Sequence, residues 1–254
     1  MSLSDIVGRA MSALRGTELF EGNSGIDSRA LITEPIMVAR SEDQPYTGFD
    51  SATPHFGTAP ALEDILKDKP VPLKPVFVAP TEGGVLSMNL KVYFGYMEEF
   101  FDLFGLNAVY QMNRYISCQD LCVLPKTPGR AAAIPDPRLW KYMAITGQYV
   151  LGPLVKEFGG NVIVRGAYRP ADYNKAVKGA SNSRHIYFQA VDLDCGTAKV
   201  LMDMVRFCAT IFRSPEGRLC KMGLGVYGTV KAPTRFHVDT CFKHRHWGRA
   251  QAFI

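Results

Sequence analysis

The chain has 254 residues, of which 47% are hydrophobic and 21% are charged, the composition of an ordinary globular protein with a substantial core. Its formal net charge of +5 is mild. It allows loose attraction to anionic polymers. No cluster of Lys and Arg is interleaved with aromatic residues, so we expect no nucleic-acid partner.

The first 16 residues, "MSLSDIVGRAMSALRG", lack the apolar core and the cleavage site of a secretory signal, which predicts synthesis in the cytoplasm without a signal peptide. No apolar run approaches the roughly 20 residues that a membrane-spanning helix needs, so we expect no membrane span. The 6 cysteines are irregularly spaced. Cys118 and Cys122 form a CxxxC without a partner pair, which favours free thiols over a structural zinc site.

The N-terminal part of the chain begins with a helical pattern and then loses regularity. Residues 3–15 have the apolar spacing of an amphipathic helix, which either packs on the body of the protein or docks on a partner subunit. Residues 21–83 are rich in Asn, Ser, Gly, Pro and Thr, and such extended chain wraps a neighbour or serves as a linker. His55 is expected to be a loop residue.

A second block, residues 85–123, mixes strand-like and helical signals. In "YMEEFFDLFG" (96–105) the aromatic residues share one helical face, which predicts core packing and a helix end at Gly105. The best candidate boundary is "KTPGRAAAIPDP". We therefore expect an N-terminal region of unknown role at 1–135 and a domain at 136–254 that folds by itself.

The final block alternates helical and strand patterns. It predicts a helix at 136–160, a strand at 161–168, a polar loop up to residue 183, and then a strand in "FQAVDLDC". A second helix at 198–212 and strands in "MGLGVYG" and "RFHVDT" complete the block. A small antiparallel sheet with flanking helices is an α+β fold, preceded here by a partly irregular N-terminal region.

Two short stretches of this block combine histidine with carboxylates. His185 lies seven positions before Asp192, and Asp194 follows; His237 and Asp239 are two apart in a predicted strand, so their side chains leave the same face. Catalytic zinc sites use three such ligands and keep a fourth position open. Spacing alone leaves an alternative, a half-exposed histidine with an aspartate that caps a turn.

Longer motifs extend over roughly residues 138–248. The chain reads "GPLVKEFGG", "RGAYRP", "DYNKAVKGASNSRHIYFQAVD", "RFHVDT" and "RHW" in that order. In order and spacing they resemble the zinc D,D-carboxypeptidase family, which includes peptidoglycan endopeptidases, and most closely its small branch in bacteria and phages. The resemblance implies a LAS-type α+β peptidase domain that uses Zn²⁺ and cleaves peptidoglycan peptides.

The family's functional positions can be transferred residue by residue. The resemblance places the zinc ligands on His185, Asp192 and His237. The family arginine that binds substrate or polarises its carbonyl falls on Arg169, and the implied substrate-binding residues are Ser183, Arg169 and Tyr168. Arg245 and Trp247 match the closing motif and are expected to be structural.

The chain also departs from the family pattern. Phe188 replaces a glycine and is expected to narrow or cover the pocket, and "SGYR" has become "GAYR". The acid that many relatives carry three residues before the last histidine is Thr234 here. Strand geometry leaves Asp239 as the nearest carboxylate and thus as the predicted general base. Asp194, on the same strand face as Asp192, is expected to support the ligands from behind.

These features favour a zinc metallopeptidase that cleaves stem or cross-bridge peptides of peptidoglycan, in which Asp239 moves the proton and Arg169 holds negative charge. It would act at the bacterial cell wall as a phage lysin or virion-associated protein. The alternative is a non-catalytic, peptidase-like structural or wall-binding module of a virion or other assembly. In either case the N-terminal region is expected to contact virion or assembly subunits.

Overall fold

The computed structural model describes residues 76–78, 88–124 and 132–254. The predicted helix at 3–15 and His55 lie outside these ranges. Of the irregular segment at 21–83, the structure describes residues 76–78 alone. Among the helices that the structure describes, none has the length and apolar character needed to cross a membrane.

The strands form two sheets. A two-stranded antiparallel ladder pairs β1 (Val76–Val78) with β2 (Ala132–Ile134). The main sheet contains β3 (Ile163–Gly166), β4 (Ala190–Asp194), β5 (Gly223–Gly228), β6 (Pro233–Asp239) and β7 (Arg245–Gly248). Its order is β3-β4-β6-β5-β7, and all neighbours are antiparallel except β5 and β7, which are parallel. The predicted α+β class is confirmed, and β7 is an addition that the sequence patterns did not predict.

The helices flank this sheet. They are α1 (Met88–Asp102), α2 (Leu106–Tyr110), α3 (Trp140–Thr146), α4 (Gly152–Phe158), α5 (Ala171–Ala176), α6 (Ala198–Arg213) and α7 (Pro215–Leu219). The predicted helix at 136–160 consists of α3 and α4, joined by a π-helical turn at Gly147–Leu151. Helix α5 lies within the segment that was predicted to be a polar loop.

Local chemistry explains where the longest C-terminal helix begins and ends. The Thr197 hydroxyl accepts a hydrogen bond from the Val200 backbone amide at 3.3 Å and caps the start of α6. Pro215 begins α7 directly after the extended residue Ser214, so α6 cannot continue. The apolar face of α6 packs against β5 and β6, on the side of the sheet that forms the core.

One hydrophobic core joins the two blocks of the chain. Trp140, fully buried in α3, packs edge-on against Tyr93 of α1 at 5.1 Å between ring centroids and donates a hydrogen bond to the Tyr93 hydroxyl at 2.9 Å. Leu121 accepts a backbone hydrogen bond from Tyr168, just beyond β3, at 3.0 Å. The domain boundary predicted near residue 136 therefore cuts through a continuous core.

A truncation experiment tests the shared core. A fragment of residues 136–254 would expose Trp140 and the surface that α1 covers, and losing burial of one large aromatic side chain alone costs about 3–5 kcal/mol. We expect this fragment to lack a cooperative thermal transition by near-ultraviolet circular dichroism, whereas a fragment of residues 76–254 should retain one. Equal transition temperatures for the two fragments would contradict the shared core.

Candidate metal centre

The pairing of three strands brings the predicted ligands to one face of the main sheet. Asp192 of β4 lies directly opposite His237 of β6, and His237 lies opposite Gly225 of β5. Directly opposed residues project from the same face of a sheet, so the two side chains meet. His185 joins them from a 3₁₀ turn, Arg184–Tyr187, that precedes β4.

The three side chains meet closely and out of solvent. Asp192 Oδ1 lies 2.9 Å from His237 Nδ1 and 3.4 Å from His185 Nε2, and the two imidazole nitrogens are 3.2 Å apart. All three residues are buried, and one ligand atom from each lies within 4.8 Å of the others. The structure thus brings the three predicted ligand residues together, and their binding of zinc stays a prediction.

Hydrogen bonds behind the two histidines determine which ring nitrogen faces the cluster. His185 Nδ1 lies 2.7 Å from the carbonyl oxygen of Ala167, which can only accept, so this nitrogen carries the proton and Nε2 presents a lone pair. His237 Nε2 lies 3.1 Å from a carboxylate oxygen of Asp239, so Nδ1 presents the lone pair there. When both rings are neutral, three acceptor atoms therefore converge, and a cation between them removes their repulsion. Two imidazoles and one carboxylate suit Zn²⁺.

Burial and neighbouring charges shift the protonation of the three groups. Burial lowers the pKa of His185. Burial also opposes the charged form of His237, but its hydrogen bonds to Asp192 and Asp239 outweigh this effect and raise its pKa. Without a metal, a second proton on His237 Nδ1 is therefore favoured, and a metal ion that binds this nitrogen would replace that proton. For Asp192, burial is outweighed by both histidines, which hold its pKa well below the usual range. The carboxylate is thus ionised, the form in which it can bind a metal.

Asp239 occupies a different position from the one predicted for a general base. It is fully buried, and it contacts the ring edge of His237 that faces away from the other two ligand residues. Arg245 of β7 donates to both of its oxygens, at 3.1 and 2.9 Å. Gly223 leaves room for it, because a Cβ there would lie 2.6 Å from Asp239 Oδ2. This geometry suits a carboxylate that orients a ligating histidine.

A cavity of about 860 Å³ opens over the cluster. Arg169 lines it, and its Nη2 contacts Asp192 Oδ2. Ser183 also lines it, and the binding of substrate by these two residues stays a prediction. Trp247 of β7 forms part of the wall, with its ring 5.1 Å from that of His237. The closing motif therefore contributes to the site itself.

Tyr168 and Phe188 lie in the core rather than in the pocket. Tyr168 is 1% exposed and packs edge-on against Phe188 at 5.7 Å, so the prediction that it binds substrate is wrong. Phe188 is fully buried, and the expectation that its ring narrows the pocket is also wrong. Its φ of 55° lies in the left-handed region that glycine adopts most easily, which explains a glycine in relatives. A glycine here would remove a buried ring without opening the pocket.

Asp194 lines the pocket, but it contacts Arg165 and not the three ligand residues. It accepts hydrogen bonds from Arg165 at 2.9 and 2.7 Å and from the Cys195 backbone amide at 2.7 Å. Its described contacts include none of the three ligand residues. The supporting contacts come from the Ala167 carbonyl and Asp239 instead. A backbone carbonyl leaves no signal in a sequence, whereas the HxD spacing on one strand face was a signal that could have identified Asp239.

Comparison with known proteins relates part of the chain to a known peptidase family. Residues 130–219 match the family model described as Peptidase M15. This segment is therefore similar to the zinc D-Ala-D-Ala carboxypeptidase-like domains of the M15 family. The chain has no match among curated proteins. The matched segment contains His185 and Asp192 and ends before β6, so this match does not include His237, which the structure brings to the site.

Two substitutions distinguish the role of a metal ligand from the role of a residue that orients a ligand. His185→Ala should abolish stoichiometric zinc binding, because two remaining ligands rarely hold zinc tightly. Asp239→Asn should weaken zinc binding about 10–100-fold, since an amide cannot hold His237 and Arg245 in the same way. Competition with a chromophoric chelator measures both affinities.

Asp203→Asn supplies the matched control, because Asp203 is another buried aspartate paired with an arginine, Arg206 of α6, outside the cavity lining. It should leave zinc affinity unchanged. Wild-type affinity in Asp239→Asn would show that Asp239 does not support the centre.

Proposed function

We propose that the protein is a zinc-dependent peptidase that cleaves stem or cross-bridge peptides of peptidoglycan. The observation that carries the proposal is the convergence of two imidazoles and one carboxylate on the floor of an open pocket, with Arg169 beside them. The match of residues 130–219 to the Peptidase M15 family model supports the assignment of the protein as a peptidase. Peptidoglycan as the substrate rests on the resemblance of the motifs from "GPLVKEFGG" to "RHW".

Each of the pocket residues has a separate role in the proposed hydrolysis of a peptide bond. A zinc ion held by His185, Asp192 and His237 supplies a Lewis acid that polarises a carbonyl and lowers the pKa of water to about 7. Arg169, whose side chain is 17% exposed, is placed to bind negative charge that develops on the substrate carbonyl or a substrate carboxylate. Ser183 at the pocket wall provides a hydroxyl for the substrate backbone.

Proton transfer needs a carboxylate that substrate and water can reach. Among the described residues that line the cavity, the carboxylates are Asp192, which faces both histidines, and Asp194. Asp194 lies two residues further along the same strand face, about 6.5 Å away. Its ion pair with Arg165, which is 55% exposed, is weak, and the carboxylate keeps lone pairs free. We therefore propose Asp194, in place of Asp239, as the proton acceptor.

A non-catalytic module is the second candidate function. Thr234 supplies no carboxylate at the position where many relatives carry one, Asp239 is enclosed behind His237, and Asp194 is engaged by Arg165. A site in this state would bind metal and peptide without turnover, as a structural or wall-binding module of a virion or other assembly. The metal would then serve stability alone.

The biological setting is a further part of the proposal. Resemblance to the small bacterial and phage branch supports a phage protein that acts at the cell wall, either as a lysin or carried in the virion. Contacts with virion or assembly subunits would involve the N-terminal region, and this idea rests on the composition of residues 21–83 alone.

Digestion of purified peptidoglycan, with products identified by mass spectrometry, tests the function. Wild-type protein with zinc should release peptide fragments, and Asp194→Asn should lower kcat about 10²–10⁴-fold while keeping zinc, because the amide cannot accept a proton. Asp172→Asn, an exposed aspartate of α5 outside the cavity lining, should behave as wild type. Absence of any product from the zinc-loaded wild type would favour the non-catalytic module.

A further inference from the structure

Positive charge dominates the cavity above the three acceptors. Six of its lining residues are cationic: Arg165, Arg169, Lys178, Arg184, Arg235 and Arg245. Its carboxylates are those of Asp192 and Asp194, and a bound divalent ion would add further positive charge. A concave surface with an excess of one charge concentrates ligands of the opposite sign. The cavity is therefore suited to an anionic peptide.

Half of these cations already have carboxylate partners. Arg169 contacts Asp192, Arg165 contacts Asp194, and Arg245 contacts the buried Asp239. Buried carboxylates hold Arg169 and Arg245 in place, whereas the ion pair of the exposed Arg165 is weak.

The other three have no carboxylate within ion-pair distance among the described residues. Arg184 is buried; its Nε donates to the Asn182 carbonyl at 2.9 Å, and its guanidinium lies over the Phe242 ring at 3.8 Å. Lys178 and Arg235 are exposed at the cavity. Of these two, Arg235 has a contact that fixes its orientation.

Arg235 is held by the sheet in a position that faces the cavity. It precedes His237 by two residues on β6, so both side chains leave the same face of the strand. Tyr227, its direct cross-strand partner on β5, places its ring 4.7 Å from the guanidinium carbon. Stacking on an aromatic face orients the planar fork, which matches the geometry of a carboxylate.

We propose that Arg235, stacked on Tyr227, forms a second carboxylate-binding subsite, so that the preferred substrate is an acidic peptide with at least two carboxylates. This inference rests on the proposed peptidase function. Two strand residues span about 6.5 Å, which is also the length of two residues of extended peptide. Arg169 holds charge beside the metal centre, and Arg235 binds a carboxylate about two residues from the scissile bond.

Equilibrium binding tests the subsite without hydrolysis. The probes are acetyl-Ala-Glu-Ala, its Gln analogue, and the C-terminal amides of both, titrated calorimetrically into the full-length protein with and without zinc. Wild type should bind the Glu peptides about tenfold more tightly than the Gln peptides, because a bidentate hydrogen bond to a charged group is strong.

Arg235→Gln should remove this Glu-over-Gln preference and keep the preference for a free C-terminal carboxylate. Arg218→Gln, an exposed arginine of α7 outside the cavity lining, should keep both preferences. An unchanged Glu preference in Arg235→Gln, or an equal loss of affinity for all four peptides, would overturn the subsite. Binding in the metal-free protein does not depend on turnover, so these outcomes are distinct from failure of the peptidase proposal.

Discussion

Two hydrogen bonds behind His185 and His237 determine which ring nitrogen of each histidine faces Asp192. The Ala167 carbonyl fixes the proton of His185 on Nδ1, and Asp239 fixes that of His237 on Nε2. In their neutral forms both histidines then direct lone pairs toward an ionised carboxylate. Three acceptors in contact at a buried position are unfavourable without a metal cation or a further proton on His237, and the rest of the site is arranged around this constraint.

The sheet and its last strand maintain the constraint. Arg245, on β7, binds both oxygens of Asp239, and the absence of a side chain at Gly223 leaves space for that carboxylate. On the other side, Ala167 belongs to the segment after β3, where the neighbouring Tyr168 is bonded to Leu121 in the first described block. The metal centre therefore depends on residues from both sides of the predicted domain boundary.

The local sequence patterns predicted most helices and strands of the C-terminal block, and little of how distant segments pair and pack. The apolar periodicity of α6 and the alternation in β4 and β6 are local signals, so these elements were accessible from the sequence. The meeting of His185, Asp192 and His237 was implied by the family resemblance, since their spacing alone left an alternative. β7 was missed because its pairing with β5 is parallel and joins strands that are separated in the chain.

Long-range packing also accounts for the incorrect predictions. Phe188 and Tyr168 were interpreted from their positions in the family motifs, but both are buried in the core, where their rings pack against each other. Asp239 was expected to reach the open side of the site because it shares a strand face with His237. The position of Arg245, which no local pattern predicts, accounts for its place behind the ring.

The tautomers of the two histidines are the most direct test of this account. Long-range ¹H–¹⁵N correlation spectra of zinc-loaded, ¹⁵N-labelled protein report which nitrogen of each imidazole carries the proton and which binds metal. We expect His185 to be protonated on Nδ1 and bound through Nε2, and His237 to be protonated on Nε2 and bound through Nδ1. The opposite tautomer in either ring, or spectra of both rings that do not respond to zinc, would contradict the proposed metal centre.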